Sequence, residues 1–199
     1  DLDALELTGP GLPLFEGVQL NTSTPELTVA WDGTMLYATG GQTTQGSREL
    51  IWVDRSGGTE LVDPSLTGAT YFSATLSPND DRVALSMVET GGTGVSQLWV
   101  KELPDGPLTR LTTGSSPAGR PIWSRDGRNI SFIADNADNI ILPHARSIAA
   151  DGSSEGVSDL LLEHTRPVRE VFFTPDERGL IFRQGQANTG TADLGLMDL

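Results

Sequence analysis

Few residues in this chain have side chains suited to catalysis. His144 and His164 are the only imidazoles among the 199 residues, and cysteine is absent. A Ser-His-Asp triad needs one of these imidazoles beside an activated serine. No Gly-x-Ser-x-Gly elbow provides that serine, since "GTGVSQ" and "GSSPAG" do not fit it. Both histidines therefore read as surface or strand-end residues. Asp135, Asn136, Asp138 and Asn139 cluster in "DNADN", and calcium favours such oxygen ligands. The Gly and terminal Glu of an EF-hand loop are missing, so a solvated loop is the better reading. "TGGTG" (90–94) and "TGGQTTQG" (39–46) are glycine-rich, but no Lys follows and no helix begins, so neither is a phosphate-binding loop. They read as long hairpin loops at a rim, where binding residues tend to lie. The sequence thus implies no catalytic residue, no cofactor and no metal, a structural calcium being the one metal it leaves open.

Bulk composition excludes further classes. The net charge is −14, the wrong sign for neutralising phosphates or docking on anionic lipid. The acidity serves solubility, or recruits a basic partner. No run of about 18 apolar residues is present, so no membrane-spanning helix is expected. The start, "DLDALELTGPG", has neither the basic nor the apolar region of a signal peptide. An opening Asp in place of Met predicts a processed or excised piece, with more chain before residue 1.

The elements that must position these residues repeat along the chain. "VAWDGTMLYA" (29–38), "TLSPNDDRVALS" (75–86), "IWSRDGRNISFI" (122–133) and "FFTPDERGLIF" (172–182) each join two apolar runs through an acidic turn. Aligned on Asp32, Asp80, Asp126 and Asp176, they are 48, 46 and 50 residues apart. Asp-Gly pairs such as Asp32-Gly33 and Asp126-Gly127 tolerate positive φ and suit tight hairpins. The flanking runs alternate with period 2, so they are strands. A second phrase follows each turn by about 20 residues: "RELIWVDRSGG" (48–58), "SQLWVKELPDG" (96–106), "ARSIAADGSS" (145–154) and "ADLGLMDL" (192–199). The first three lead through a Gly turn to a short fourth strand, in "TELVD", "LTRLTT" and "VSDLLLEH". Units of ~40–50 residues with four strands are propeller blades.

The expected fold is therefore an all-β propeller of four-stranded antiparallel blades. About four blades fit the single domain 1–199: residues 27–66, 67–114, 115–165 and 166–199, the last without its outer strand, after an N-terminal strand and linker in 1–26. Residues 5–18 could complete the last blade and close a four-blade ring; otherwise the blades belong to a larger propeller, or two chains meet at open blade edges. Trp31, Trp52, Trp99 and Trp123 recur in register and are expected in the core between blades, while the third unit lacks an aromatic at the Trp52/Trp99 position. Arg120, just before an innermost strand, is expected at the channel mouth, binding a ligand or pairing with the turn aspartates or backbone carbonyls.

"LSPNDDRVAL", "WSRDGRNISFIAD", "TPDERGLIF" and "LWVKELPDGPLTRLTTG" resemble the TolB-type, WD-like propeller repeats of bacteria, over about residues 27–199. "FEGV" with "RELIWVDRSGG" is similar to propeller regions attached to bacterial serine/threonine protein kinases. The first unit departs from the pattern by lacking the Ser-Pro of the turn. No Gly-rich kinase loop, "HRD" or "DFG" is present. The resemblance implies a non-catalytic binding or sensing module for protein or peptide, within a larger bacterial protein, in the periplasm or otherwise outside the cytoplasm, with the cytoplasm as the alternative. TolB-like propellers also cap serine peptidases of the prolyl oligopeptidase type, which makes a gating domain the alternative. A small-molecule-binding or metal-containing propeller is the third reading.

Overall fold

The structure is a computed structural model. It describes residues 20–21, 24–25, 27–29, 35–38, 49–54, 56–66, 68–89, 91–136, 139–162, 164, 166–185 and 193–199. Among them the regular elements are strands, apart from one 3-10 turn at Pro64–Leu66. β1 (Leu20–Asn21) and β2 (Thr24–Pro25) form a small hairpin. Sheet 1 holds β3 (Leu27–Val29), β4 (Met35–Ala38), β5 (Leu50–Val53) and β6 (Thr59–Leu61). Sheet 2 holds β7 (Thr70–Leu76), β8 (Arg82–Val88), β9 (Gln97–Glu102) and β10 (Leu108–Arg110). Sheet 3 holds β11 (Ala118–Trp123), β12 (Asn129–Asn136), β13 (Asn139–Ala149) and β14 (Asp159–Leu162). Sheet 4 holds β15 (Val168–Phe173), β16 (Gly179–Gln184) and β17 (Asp193–Asp198). In each sheet the strands follow chain order and pair antiparallel.

Strand periodicity explains how these sheets stack. Five consecutive residues of β8, Val83 to Met87, are buried, which only a strand covered on both faces allows. Val83, Leu85 and Met87 enter a cluster with Leu50, Val62 and Tyr71, facing sheet 1. Ala84 turns the other way and joins Leu98, Val100, Trp123, Ile130 and Phe132, facing sheet 3. A third cluster of Ala145, Leu162, Val168, Val171 and Phe182 lies between sheets 3 and 4. The core is thus three thin apolar layers between successive sheets, consistent with the modest 37% hydrophobic content. The first strands of neighbouring sheets lie side by side, β3 with β7, β7 with β11 and β11 with β15. They form the inner rim of a propeller of antiparallel blades. Trp31, Asp32 and Gly33 of the first turn, and residues 5–18, lie outside the described residues.

Candidate functional site

The repeat turns are one structure used three times. In the third blade Ser124 N–H donates to the Asn129 carbonyl and Gly127 N–H to the Ser124 carbonyl, both at 2.9 Å. Ser124 Oγ donates to Asp126 Oδ1 at 2.7 Å, and that oxygen also accepts Arg128 N–H at 3.0 Å. Thr174, Asp176 and Arg178 repeat these contacts in the fourth blade. These hydrogen bonds, that from Ser124 foremost for Asp126 and that from Thr174 for Asp176, hold both carboxyls below the usual aspartate range.

The second blade corrects the sequence alignment. Ser77 N–H donates to the Arg82 carbonyl and Asp80 N–H to the Ser77 carbonyl. Asp80 therefore matches Gly127, not Asp126, and Asn79 is the counterpart of Asp126 and Asp176. Backbone angles agree: Asp80, Gly127 and Glu177 have φ of 58°, 68° and 55°. Three short polar residues in a row, Asn79-Asp80-Asp81, hid the one-residue shift.

The turns are also tied to one another. Arg82 lies over the Trp123 ring at 4.7 Å and donates Nη2–H to the Gly127 carbonyl at 2.8 Å. Arg125 donates its backbone N–H to Glu177 Oε1 at 2.5 Å and Nη1–H to the Pro175 carbonyl at 3.0 Å. Each turn thus holds the next. Trp123 adds a bond from Nε1 to the Thr75 carbonyl at 3.0 Å, across the blade boundary.

A charged row runs along the inner rim. Measured back from the turns, Ser73, Arg120 and Glu170 occupy the same position on β7, β11 and β15. Each of these strands has an irregularity there, between Tyr71 and Ser73, Gly119 and Ile122, and Val168 and Glu170. A bulge re-aims side chains, and Arg120 accommodates it with φ of 56°. Arg120 N–H donates to Ser73 Oγ at 3.2 Å, and its guanidinium pairs with Glu170. Glu170 also accepts Arg183 Nε–H at 2.9 Å. Among the described residues the partner of Arg120 is thus a carboxylate of the next blade, and neither a turn aspartate nor a backbone carbonyl: the bulge points the side chain along the rim. The bond from Arg183 is the main reason the Glu170 carboxyl lies below its ordinary range, with both positive charges helping. A carboxylate held between two guanidiniums is a poor base. The surplus positive charge and the guanidinium N–H groups instead suit recognition of an anionic or carbonyl group.

The other singled-out residues fall as follows. Trp99 and Trp123 are buried, each in a layer between sheets, and Trp52 is half-buried against the first layer, but Trp52 and Trp99 are not in register: they enter that layer from opposite sides, Trp52 from sheet 1 and Trp99 from sheet 2. Arg110 lies over the Trp99 ring at 5.5 Å. His144 is buried within β13, 5% exposed, with no partner for Nδ1, so the surface reading fails for it. It stands across from Ala134, as Gln97 stands across from Met87, so repeat register places it inside a blade. His164 is half-buried beside the Phe182 ring. Residues 137–138 of the acidic loop lie outside the described residues. Among the described residues, no three His, Cys, Asp or Glu side chains gather closely enough to hold a metal ion.

No family model and no curated protein matches this chain by sequence. Solved structures do match its fold. TolB from Acinetobacter baumannii superposes with a TM-score of 0.67 at 16% identity, over 92% of this chain and 41% of that one. A structure classed as TolB from Agrobacterium tumefaciens gives 0.69 at 18% identity, over 87% and 61%. Prolyl oligopeptidase B from Galerina marginata gives 0.60 at 13% identity, over 86% and 25%. This chain therefore spans about two-fifths and three-fifths of the TolB structures it matches. At these identities the likeness is one of fold: the chain has a TolB-like β-propeller architecture.

Proposed function

We infer that the chain is a non-catalytic propeller module that binds protein or peptide, as part of a larger bacterial protein. The supporting observation is the inner-rim row of Arg120, Glu170 and Arg183, which presents guanidinium N–H groups and a carboxylate already paired. This is chemistry for recognition; a hydrolase needs a free base and a nucleophile. A location outside the cytoplasm, and attachment to a sensor kinase, belong to the same reading. The test is a peptide-display selection on the purified chain, followed by calorimetric titration of the selected peptides. Peptides with carboxylate groups are expected to bind, and Arg120→Ala to weaken them about tenfold, the loss of one charge-assisted hydrogen bond. Unchanged affinity in that variant overturns the assignment to the rim.

A second reading is favoured by the likeness to prolyl oligopeptidase B: a gating propeller whose hydrolase domain lies elsewhere in the same polypeptide. A fluorophosphonate probe on the native full-length protein separates the two. Labelling of an active serine supports the gate, and its absence supports the binding module.

A further inference from the structure

The blade clefts are built on one pattern, and the cleft between blades 2 and 3 departs from that of blade 2 by holding a larger cavity. In sheet 2, Leu85 faces Trp99 on β9, and Met87 stands two residues further along the same face of β8. In sheet 3 the equivalent residues are Phe132, Arg146 and Ala134. In sheet 4 they are Phe182, Gly195 and Gln184. There a Cβ on Gly195 would come within 2.2 Å of the Phe182 ring, so that ring takes the place of a side chain at 195. Blades 3 and 4 both lack the Trp and the Met, with Arg146 and Ala134 in one and Gly195 and Gln184 in the other, but only in blade 4 does a Phe ring close over a glycine at the Trp place.

A cavity of about 420 Å³ lies where that volume was lost, floored by Phe132 and Ala134 and flanked by Arg146 and Thr112. The matching cleft of blade 2, which keeps Met87, Trp99 and Arg110, is smaller, about 320 Å³. Arg146 is drawn to one side, donating Nε–H to Ser158 Oγ and Nη2–H to the Ser158 carbonyl, both at 2.7 Å. The lip is close-packed: Gly156 has φ of 86°, and a Cβ there would lie 2.7 Å from Thr113 Oγ1. Beside it Val157 is 72% exposed, an apolar side chain at the mouth. Next along the face of β13, His144 is buried with Nδ1 unpartnered, where Gln97 in blade 2 is fully bonded.

We propose that this cleft between blades 2 and 3 is a pocket for an aromatic side chain of a peptide ligand. The template is internal. In blade 2 the same space holds an indole with an arginine over its ring, and Arg146 supplies the cation for an incoming ring. The proposal rests on the peptide-binding reading above and says where one anchor residue of the peptide goes.

The test is fluorine NMR of N-acetyl-5-fluorotryptophan N-methylamide titrated into the purified chain. Saturable binding is expected, with Kd on the order of 1 mM for one side chain. Ala134→Met restores the blade 2 residue and is expected to weaken binding at least tenfold; Arg146→Trp is expected to do the same and to raise Tm. Circular dichroism verifies that each variant folds, and Ala134→Met, which leaves Arg146 untouched, remains informative if Arg146→Trp does not. Absence of saturable binding to the wild-type chain overturns the pocket, and so does equal binding by Ala134→Met. A selected peptide that binds but is neither displaced by the probe nor weakened by Ala134→Met keeps the peptide-binding reading and removes this pocket from it.

Discussion

Glu170 shows how much the residue scale escapes the sequence. Arg120 could be singled out from its place before an innermost strand. Its partner could not, because the two are 50 residues apart and meet only once neighbouring blades are stacked. The turn caps were legible, because Asp126 and Asp176 sit in short local motifs whose hydrogen bonds span two residues. These groups make a pH prediction. The folded-state pKa values of Asp126, Asp176 and Glu170 are lowered, so their stabilisation is complete above the ordinary carboxylate values of 3.8 and 4.5. It is lost as pH falls through the lowered values. A second effect has the opposite sign. Acidification from pH 7 toward the pI of about 4.3 first relieves the repulsion of 14 net negative charges. Tm is therefore expected to rise slightly on moving from pH 7 toward pH ~4.5, then fall below pH ~4. Glu170→Gln should lower Tm at neutral pH and flatten the acid limb. A Tm that falls steadily from pH 7 would overturn this account, because the paired carboxylates keep their full stabilisation down to their ordinary pKa values and net charge acts in the opposite direction.

At the scale of the element, strand pairs and the repeat were readable because period 2 and turn chemistry are local. Positive φ was readable at Gly127 and in the Asn79-Asp80 pair, whose residue types tolerate it; Glu177 adopts the same conformation with a side chain that gives no such signal. The reason Glu177 is tolerated lies in the neighbouring blade, where Arg125 N–H takes its carboxylate as acceptor. Two substitutions separate backbone strain from this clasp. Gly127→Ala puts a Cβ into the left-handed region and 3.1 Å from Arg82 Nη2, whose bond to the Gly127 carbonyl ties blades 2 and 3. It is expected to cost about 1–2 kcal/mol in denaturant unfolding. Glu177→Gly relieves strain of similar size but removes the acceptor of Arg125 and adds chain entropy to the unfolded state. The gains and losses offset each other, so stability should change by less than about 0.5 kcal/mol. A clear stabilisation by Glu177→Gly would show that the clasp between turns contributes little.

For the whole molecule, what remained illegible was closure. Blade number per chain follows from the spacing of turns, but whether blade 4 meets another blade depends on surfaces that no motif marks. Phe172 and Ile181 pair across β15 and β16, and Ile181 and Leu196 across β16 and β17, on the face turned away from blade 3. Leu194 and Leu196 are 76% and 69% exposed, and Phe172 and Ile181 are exposed beside them. Every other apolar sheet face among sheets 2 to 4 is covered by the next layer. Burying four such side chains contributes about 1.5–3 kcal/mol each at most. Association entropy opposes this with about 4–15 kcal/mol, so a second copy would be held only weakly. A sheet covalently linked to the same chain avoids most of that cost. Light scattering of this 21.2 kDa chain is therefore expected to show concentration-dependent self-association, with half-assembly in the range of ~10–100 µM. Leu194→Glu with Leu196→Glu should return it to a monomer at every concentration without lowering Tm, because neither side chain contributes to the layers between blades. Association that survives both substitutions would place the contact elsewhere, and a wild-type chain that stays monomeric would mean that this face is not sticky enough to need a covering blade.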